Sequence, residues 1–101
     1  MISVRGHIGD LNAEEFQARL KKNVKDYDGG AVILDLETLV YISSAGLRVI
    51  LFVAKVLHAR SRKFAICSLS GIVDSVVKTA GFDKVIDVYK SSSEALSAMR
   101  G

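Results

Sequence analysis

Apolar and polar residues alternate at the start of the chain. Ile2, Val4 and Ile8 are separated by Ser3, Arg5 and His7, the period of two expected of a half-buried strand, and Gly6 interrupts it as a bulge would. Asn12 then stands where a helix cap belongs, with Glu15 three residues on to complete a capping box. Phe16, Leu20 and Val24 follow at four-residue intervals, opposed by Gln17, Arg19, Lys21, Lys22 and Lys25, which predicts a one-faced helix ending near Asp26. Asp28-Gly29-Gly30 reads as a turn.

The next segment changes character. Ala31 to Leu36 is a nearly continuous apolar run, the pattern of a strand covered on both faces. A second short apolar piece, Leu39 to Ile42, leads into Ser43-Ser44-Ala45-Gly46, and a helix is predicted from there to about Arg60. Lys63 to Cys67 is the following strand. Ser70 is placed to cap a third helix with Ile72, Val73, Val76, Val77 and Ala80 inward, and Gly81 sits where a left-handed stop belongs. Val85, Ile86 and Val88 predict a last strand, and Ser91 with Glu94 frames a capping box for a closing helix through Leu96 and Met99. The order β-α-β-α-β-α-β-α favours parallel pairing through right-handed crossovers, with helices covering the sheet.

Composition narrows the class. At 101 residues, half of them hydrophobic and a quarter charged, the chain is sized for one domain, expected to bury roughly 60–70% of its unfolded surface. One cysteine cannot close an intrachain disulfide, which fits a reducing cytoplasm. The net charge of +3 comes from 14 basic and 11 acidic residues that alternate along most of the chain. The densest basic run, Arg60-Ser61-Arg62-Lys63, falls where a helix ends, where cations complement the helix dipole. The interleaved aromatics of a single-strand binder are missing, so no direct nucleic-acid contact is expected. No apolar run reaches the ~18–20 residues of a membrane span and the N-terminus lacks a signal-peptide pattern, so membrane insertion is not expected either.

The parts for catalysis are not assembled in sequence. His7 and His58 have no carboxylate at a recognisable spacing, and no cluster of His, Cys or Asp suggests a metal. Cys67 lies in a buried strand, and the arginine that a cysteine-phosphatase loop needs six residues later is Val73. The glycine patterns of dinucleotide and P-loop sites are absent. The expectation is a protein with no catalytic residues, metal or cofactor.

One place remains informative. Ser43 and Ser44 lie between a strand and a helix, at the edge of an open α/β sheet where function concentrates. Ser44 can be read as an N-cap whose side chain satisfies a free backbone N–H, worth about 1 kcal/mol. The same position also welcomes a phosphate, because free N–H groups and the dipole face it. The helix that follows is apolar over most of its circumference: Leu47, Ile50, Leu51, Ala54 and Leu57 form a core stripe widened by Val49, Val53 and Val56. Arg48, Lys55, Ala59 and Arg62 mark the exposed edge, bordered by Phe52. Deep burial in a small domain explains this pattern, and so does an apolar patch around Phe52, rimmed by Arg48 and Lys55, that docks a partner.

These residues resemble those of the STAS domain, the family of bacterial anti-sigma-factor antagonists. The likeness rests on Val32-Ile33-Leu34-Asp35-Leu36, a short link from Glu37 to Ile42, and Ser43-Ser44-Ala45-Gly46-Leu47-Arg48-Val49, supported by Gly6-His7-Ile8 and Thr79-Ala80-Gly81-Phe82. It implies a single α/β domain over residues 1–101, with a mixed, mostly parallel sheet of four to five strands flanked by four helices. It further implies partner switching. The serine two residues before the motif's glycine, here Ser44, would be phosphorylated by an anti-sigma factor that is also a serine kinase. The unphosphorylated domain would bind that kinase through Ser43, Ser44, Gly46, Leu47, Arg48, Phe52 and Lys55, and a metal-dependent serine phosphatase would reset it. Alternative roles within the fold are a subunit of a lipid-transport ATPase complex and a scaffold in a stress-sensing assembly; outside it stands a small nucleotide-binding domain or enzyme.

The chain departs from the family pattern in three places. Ser43 stands where the best-studied pattern has aspartate, which makes Ser43 the alternative phosphoacceptor. Gly9 stands where an aspartate often follows the early strand, with Asp10 one residue later. The extra edge strand with which these domains usually begin has no counterpart here, and an exposed edge would favour weak self-association.

Overall fold

A computed structural model describes residues 2–26 and 31–100; the expected turn at Asp28-Gly29-Gly30 lies outside them. In chain order the elements are β1 (Ile2–Ser3), β2 (Gly6–Ile8), α1 (Ala13–Asp26), β3 (Val32–Asp35), β4 (Leu39–Ile42), α2 (Ser44–Ala59), β5 (Phe64–Cys67), α3 (Gly71–Thr79), a 3-10 turn (Phe82–Lys84), β6 (Asp87–Tyr89) and α4 (Ser92–Arg100). The expected α/β architecture with four helices is present. Its strands divide into a four-stranded sheet in the order β1-β3-β5-β6 and a two-stranded ribbon of β2 and β4. Every pair among the described residues is parallel.

The continuous apolar run of β3 is explained by two cores. Val32 and Leu34 belong, with Phe64 and Ile66 of β5, to the large core that also takes Phe16, Leu20 and Val24 of α1 and the inner stripe of α2. Ile33 and Cys67 point to the other face, where Ala95 of α4 closes a smaller core with Tyr89 and Met99 packed against it. Alternation along each strand thus sends apolar side chains both ways.

The single strand expected over residues 2–8 is two. Val4 N–H still donates to Asp35 O at 3.0 Å, but Gly6 N–H donates to Thr38 O at 3.2 Å, so the chain changes partners between them. Gly6 has φ +75°, a left-handed conformation that glycine adopts without a Cβ clash, and the register of β2 on β4 shifts there. β3 makes the same departure into β4 across a tight turn, with Leu39 N–H on Leu36 O at 3.1 Å and Glu37 N–H on Asp35 Oδ1 at 3.0 Å. Both chains turn off the main sheet together, which sets Ile8 beside Ile42.

Some edges of the sequence reading move. Val73 and Val77 of α3 are buried, but Ile72 and Ala80, expected inward, are exposed. Gly81 takes the left-handed stop at φ +76°, and the 3-10 turn then carries the chain on, with Val85 N–H on Phe82 O at 3.0 Å. Val85 is therefore still in a turn and exposed, Ile86 is buried, and the last strand begins only at Asp87. Ser70 holds the cap position of α3 without a side-chain cap bond. At α4 half of the box forms: Glu94 N–H donates to Ser91 Oγ at 3.1 Å, while Glu94 Oε2 accepts from the N–H of Lys90, one residue before the cap, at 3.2 Å.

Cys67 has no exposed surface, and burial pushes its thiol pKa up from about 9.0; a hydrogen bond with Ser68 opposes this in part, and the charges of Asp35 and Glu37 add to it. Below pH 9.0 both folded and unfolded chains hold the neutral thiol; above it the unfolded chain ionises first and is favoured. Stability in denaturant titrations is therefore expected to fall above about pH 9 more steeply in the wild type than in Cys67→Ala. The native thiol is expected to react with a thiol reagent only as fast as the domain opens.

Candidate functional site

The first turn of α2 rests on the ribbon. Ser43 is its cap: the backbone is extended (φ −90°, ψ 172°), the carbonyl accepts from Leu47 N–H at 2.9 Å, and Oγ accepts from Gly46 N–H at 3.3 Å. Its own N–H donates to Ile8 O at 2.8 Å, which binds the start of the helix to the end of β2. Ser44, read from the sequence as the cap, is instead the first helical residue. With two adjacent serines either could cap, and the one with extended backbone does. Ser43 is half-buried and fully engaged, while Ser44 is exposed and no hydrogen bond among the described residues holds its hydroxyl.

Gly46 explains the closeness of helix and ribbon. A Cβ there would lie 2.7 Å from Ile42 Cγ1 and 2.7 Å from Ile8 Cγ2, inside any permitted contact. Gly46 and Leu47, expected in the partner-binding set, are buried beneath the surface. They fix where Ser44 stands but offer no side chain to a partner.

Of the remaining expected residues, Ser44, Arg48, Lys55 and Phe52 are exposed on one face of α2. At about 100° per residue they fall within a quarter-turn of one another. Arg48 Nε donates to Ser44 O at 3.5 Å, one turn further on. The face carries no carboxylate, since α2 contains neither Asp nor Glu. Phe52 does not stand between Arg48 and Lys55 alone: Lys21 of α1 places Nζ 5.0 Å from the centre of its ring. Lys21 is far from Phe52 in sequence, and no local pattern foretold the pair. Arg62, expected on the exposed edge, is half-buried, its Nη1 donating to Val24 O at 3.3 Å.

The loop after β2 leaves from the strand end to which Ser43 is bonded. Asn12 O accepts from Phe16 N–H at 3.0 Å, so Asn12 does sit at the start of α1. Its side chain, however, turns back: Oδ1 accepts from Gly9 N–H at 2.7 Å and Nδ2 donates to His7 O at 3.0 Å. The capping box with Glu15 therefore does not form, and Asn12 pins the loop, leaving Asp10 and Leu11 exposed. His7 and His58 are exposed, and among the described residues no three His, Cys, Asp or Glu side chains cluster as metal ligands. No described helix is long and apolar enough to cross a membrane.

The STAS domain family model matches residues 1–95. A candidate anti-sigma factor antagonist of Bordetella bronchiseptica, BtrV, is 38% identical over 97 residues, covering 96% of this chain and 83% of that protein. An anti-sigma factor antagonist from Mycobacterium paratuberculosis has a similar crystal structure, with a TM-score of 0.88 at 23% identity over 98% of this chain and 83% of that one. The anti-sigma factor antagonist SpoIIAA, solved in its unphosphorylated form, gives 0.79 at 19% identity over 98% and 85%. The two structures share the fold.

The serines have separable roles. Ser43→Ala is expected to cost about 1 kcal/mol in denaturant unfolding, the worth of a lost cap. Ser44→Ala should leave the unfolding midpoint unchanged. Gly46→Ala should destabilise by about 1–2 kcal/mol, overpacking outweighing the better helix propensity of alanine.

Proposed function

This chain belongs to the STAS domain family, and on that premise we propose that it is an anti-sigma-factor antagonist switched by phosphorylation of Ser44. In this reading the unphosphorylated domain binds an anti-sigma factor that is also a serine kinase. Phosphate on Ser44 releases it, and a metal-dependent serine phosphatase restores binding. The 38% identical BtrV, a candidate antagonist of the same kind, supports the class of partner.

The observation that carries the switch is the exposed hydroxyl of Ser44 at the first position of α2, with the capping duty taken by Ser43. A kinase can reach that hydroxyl without opening the helix. The fold accepts the product, because a phosphate at the N-terminal end of a helix meets unpaired N–H groups and the positive end of the dipole. What changes is the surface. Arg48 and Lys55, with Phe52 at the edge, make an uncharged-to-basic face that suits a neutral or acidic partner. A phosphoryl group adds nearly two negative charges to it. Held against a desolvated acidic surface, those charges cost several kcal/mol, and every ~1.4 kcal/mol is tenfold in affinity.

Phosphosite mapping by mass spectrometry on the chain purified from its own host is expected to find phosphate on Ser44 and none in Ser44→Ala. That variant should keep its kinase partner in pull-down and calorimetry, while Ser44→Asp should bind at least about tenfold more weakly. A chain that stays unmodified through growth and stress while holding its partner would defeat the switch; phosphate on Ser43 alone would move it by one residue.

A further inference from the structure

A groove of about 590 Å³ runs between α1 and the C-terminal half of α2. Val24, Phe52 and Val56 supply its apolar wall, Lys21, Arg60 and Arg62 its charged lining, and no carboxylate lines it among the described residues. Phe52 is 42% exposed although Lys21 lies over its ring. The wall is held in place before anything enters: Arg62 Nη1 donates to Val24 O, tying the turn after α2 to the end of α1. Lys21 and Arg60 stand exposed at the rim.

We propose that this groove docks an acidic amphipathic segment of a partner protein, with an apolar side chain against Phe52 and Val56 and carboxylates toward Lys21 and Arg60. Charge complementarity selects the sign: among the described residues the charged lining is cationic, and Lys21 and Arg60 stand exposed in it. The apolar wall selects the class. A nucleic-acid backbone would use the cations and leave Val56 uncovered, and Phe52 is the only aromatic among the described lining residues on which a base could stack. A lipid surface is flat, whereas this lining is shared by two helices, with Lys21 of α1 over the ring of Phe52 of α2. A short segment with one apolar and one acidic face satisfies wall and rim together.

The groove does not depend on Ser44. Phe52 lies eight residues, about 12 Å, along α2 from Ser44, and Arg60 about 24 Å. The groove shares Phe52 with the face proposed for the kinase, but Lys21 and Arg60 lie outside that set, so the charge-reversed double variant and Ser44→Asp test the two readings separately.

The test is fluorescence anisotropy with the full chain and a labelled synthetic peptide carrying glutamates on one helical face and leucine and phenylalanine on the other. Saturable binding is expected, at least about tenfold weaker in Lys21→Glu/Arg60→Glu, weaker in higher salt, and within about twofold of wild type in Ser44→Asp. Amide shifts on peptide binding should centre on Phe52 and Val56, and thermal melting should show the double variant folded. A twin peptide with glutamine for glutamate that binds equally well would overturn the proposal. So would undiminished binding by the double variant or no binding by the wild type. Tighter binding of a short duplex DNA, or of phosphatidylglycerol vesicles, lost in the same variant, would overturn it in favour of those ligands.

Discussion

The contact on which the site depends is the one that Gly46 leaves open. The first turn of α2 sits so low on the β2–β4 ribbon that any side chain at this position would collide with Ile8 and Ile42. That descent lets Ser43 N–H reach Ile8 O and lets the helix begin directly at the strand end, with no loop between. A longer connection would carry Ser44 on mobile backbone. Here it stands on the end of a helix whose inner residues, Leu47, Ile50, Val53 and Leu57, are buried in the main core. The rigidity of the site is borrowed from packing far larger than the site itself.

The paired serines divide two tasks that one hydroxyl could not perform together. A cap hydroxyl is occupied: it accepts from the backbone, and modifying it would remove that bond from the helix start. A modifiable hydroxyl must be exposed and unengaged. By capping with Ser43, the chain leaves the Ser44 hydroxyl unengaged, and the cap bond of α2 does not depend on it. Ser43 occupies the place where the best-studied members of this family carry aspartate, and both residue types are good caps. The substitution keeps the cap while removing a negative charge next to the hydroxyl.

Much of the fold was legible because it is written in local periods. Phe16, Leu20 and Val24 could face only one way, and the run from Val32 to Leu36 could only be covered on both sides. The misreadings share a cause, which is information held elsewhere in the chain. Nothing within residues 2–8 says that Val4 pairs with Asp35 and Gly6 with Thr38. Ile72 has the spacing of a core residue, but α3 is phased by Val73 and Val77 and leaves Ile72 outward. At the site, the motif register pointed to Ser44 while the cap argument pointed to the wrong serine of the pair. The Lys21–Phe52 contact joins two helices and was invisible to any reading of one.

Helix α2 presents two surfaces, and distance decides whether they interfere. A phosphate on Ser44 lies about 12 Å along the axis from Phe52 and twice that from Arg60. The screening length at physiological ionic strength is about 8 Å, so its field is largely spent before it reaches the groove rim. It is not spent at Arg48, whose guanidinium already touches the Ser44 carbonyl, nor on a partner pressed against Ser44 with water excluded. Charge added at the N-terminal end therefore acts locally, on whatever covers that end. In the proposed switch, control is steric and electrostatic at one pole of α2, and the groove meets that face only at Phe52.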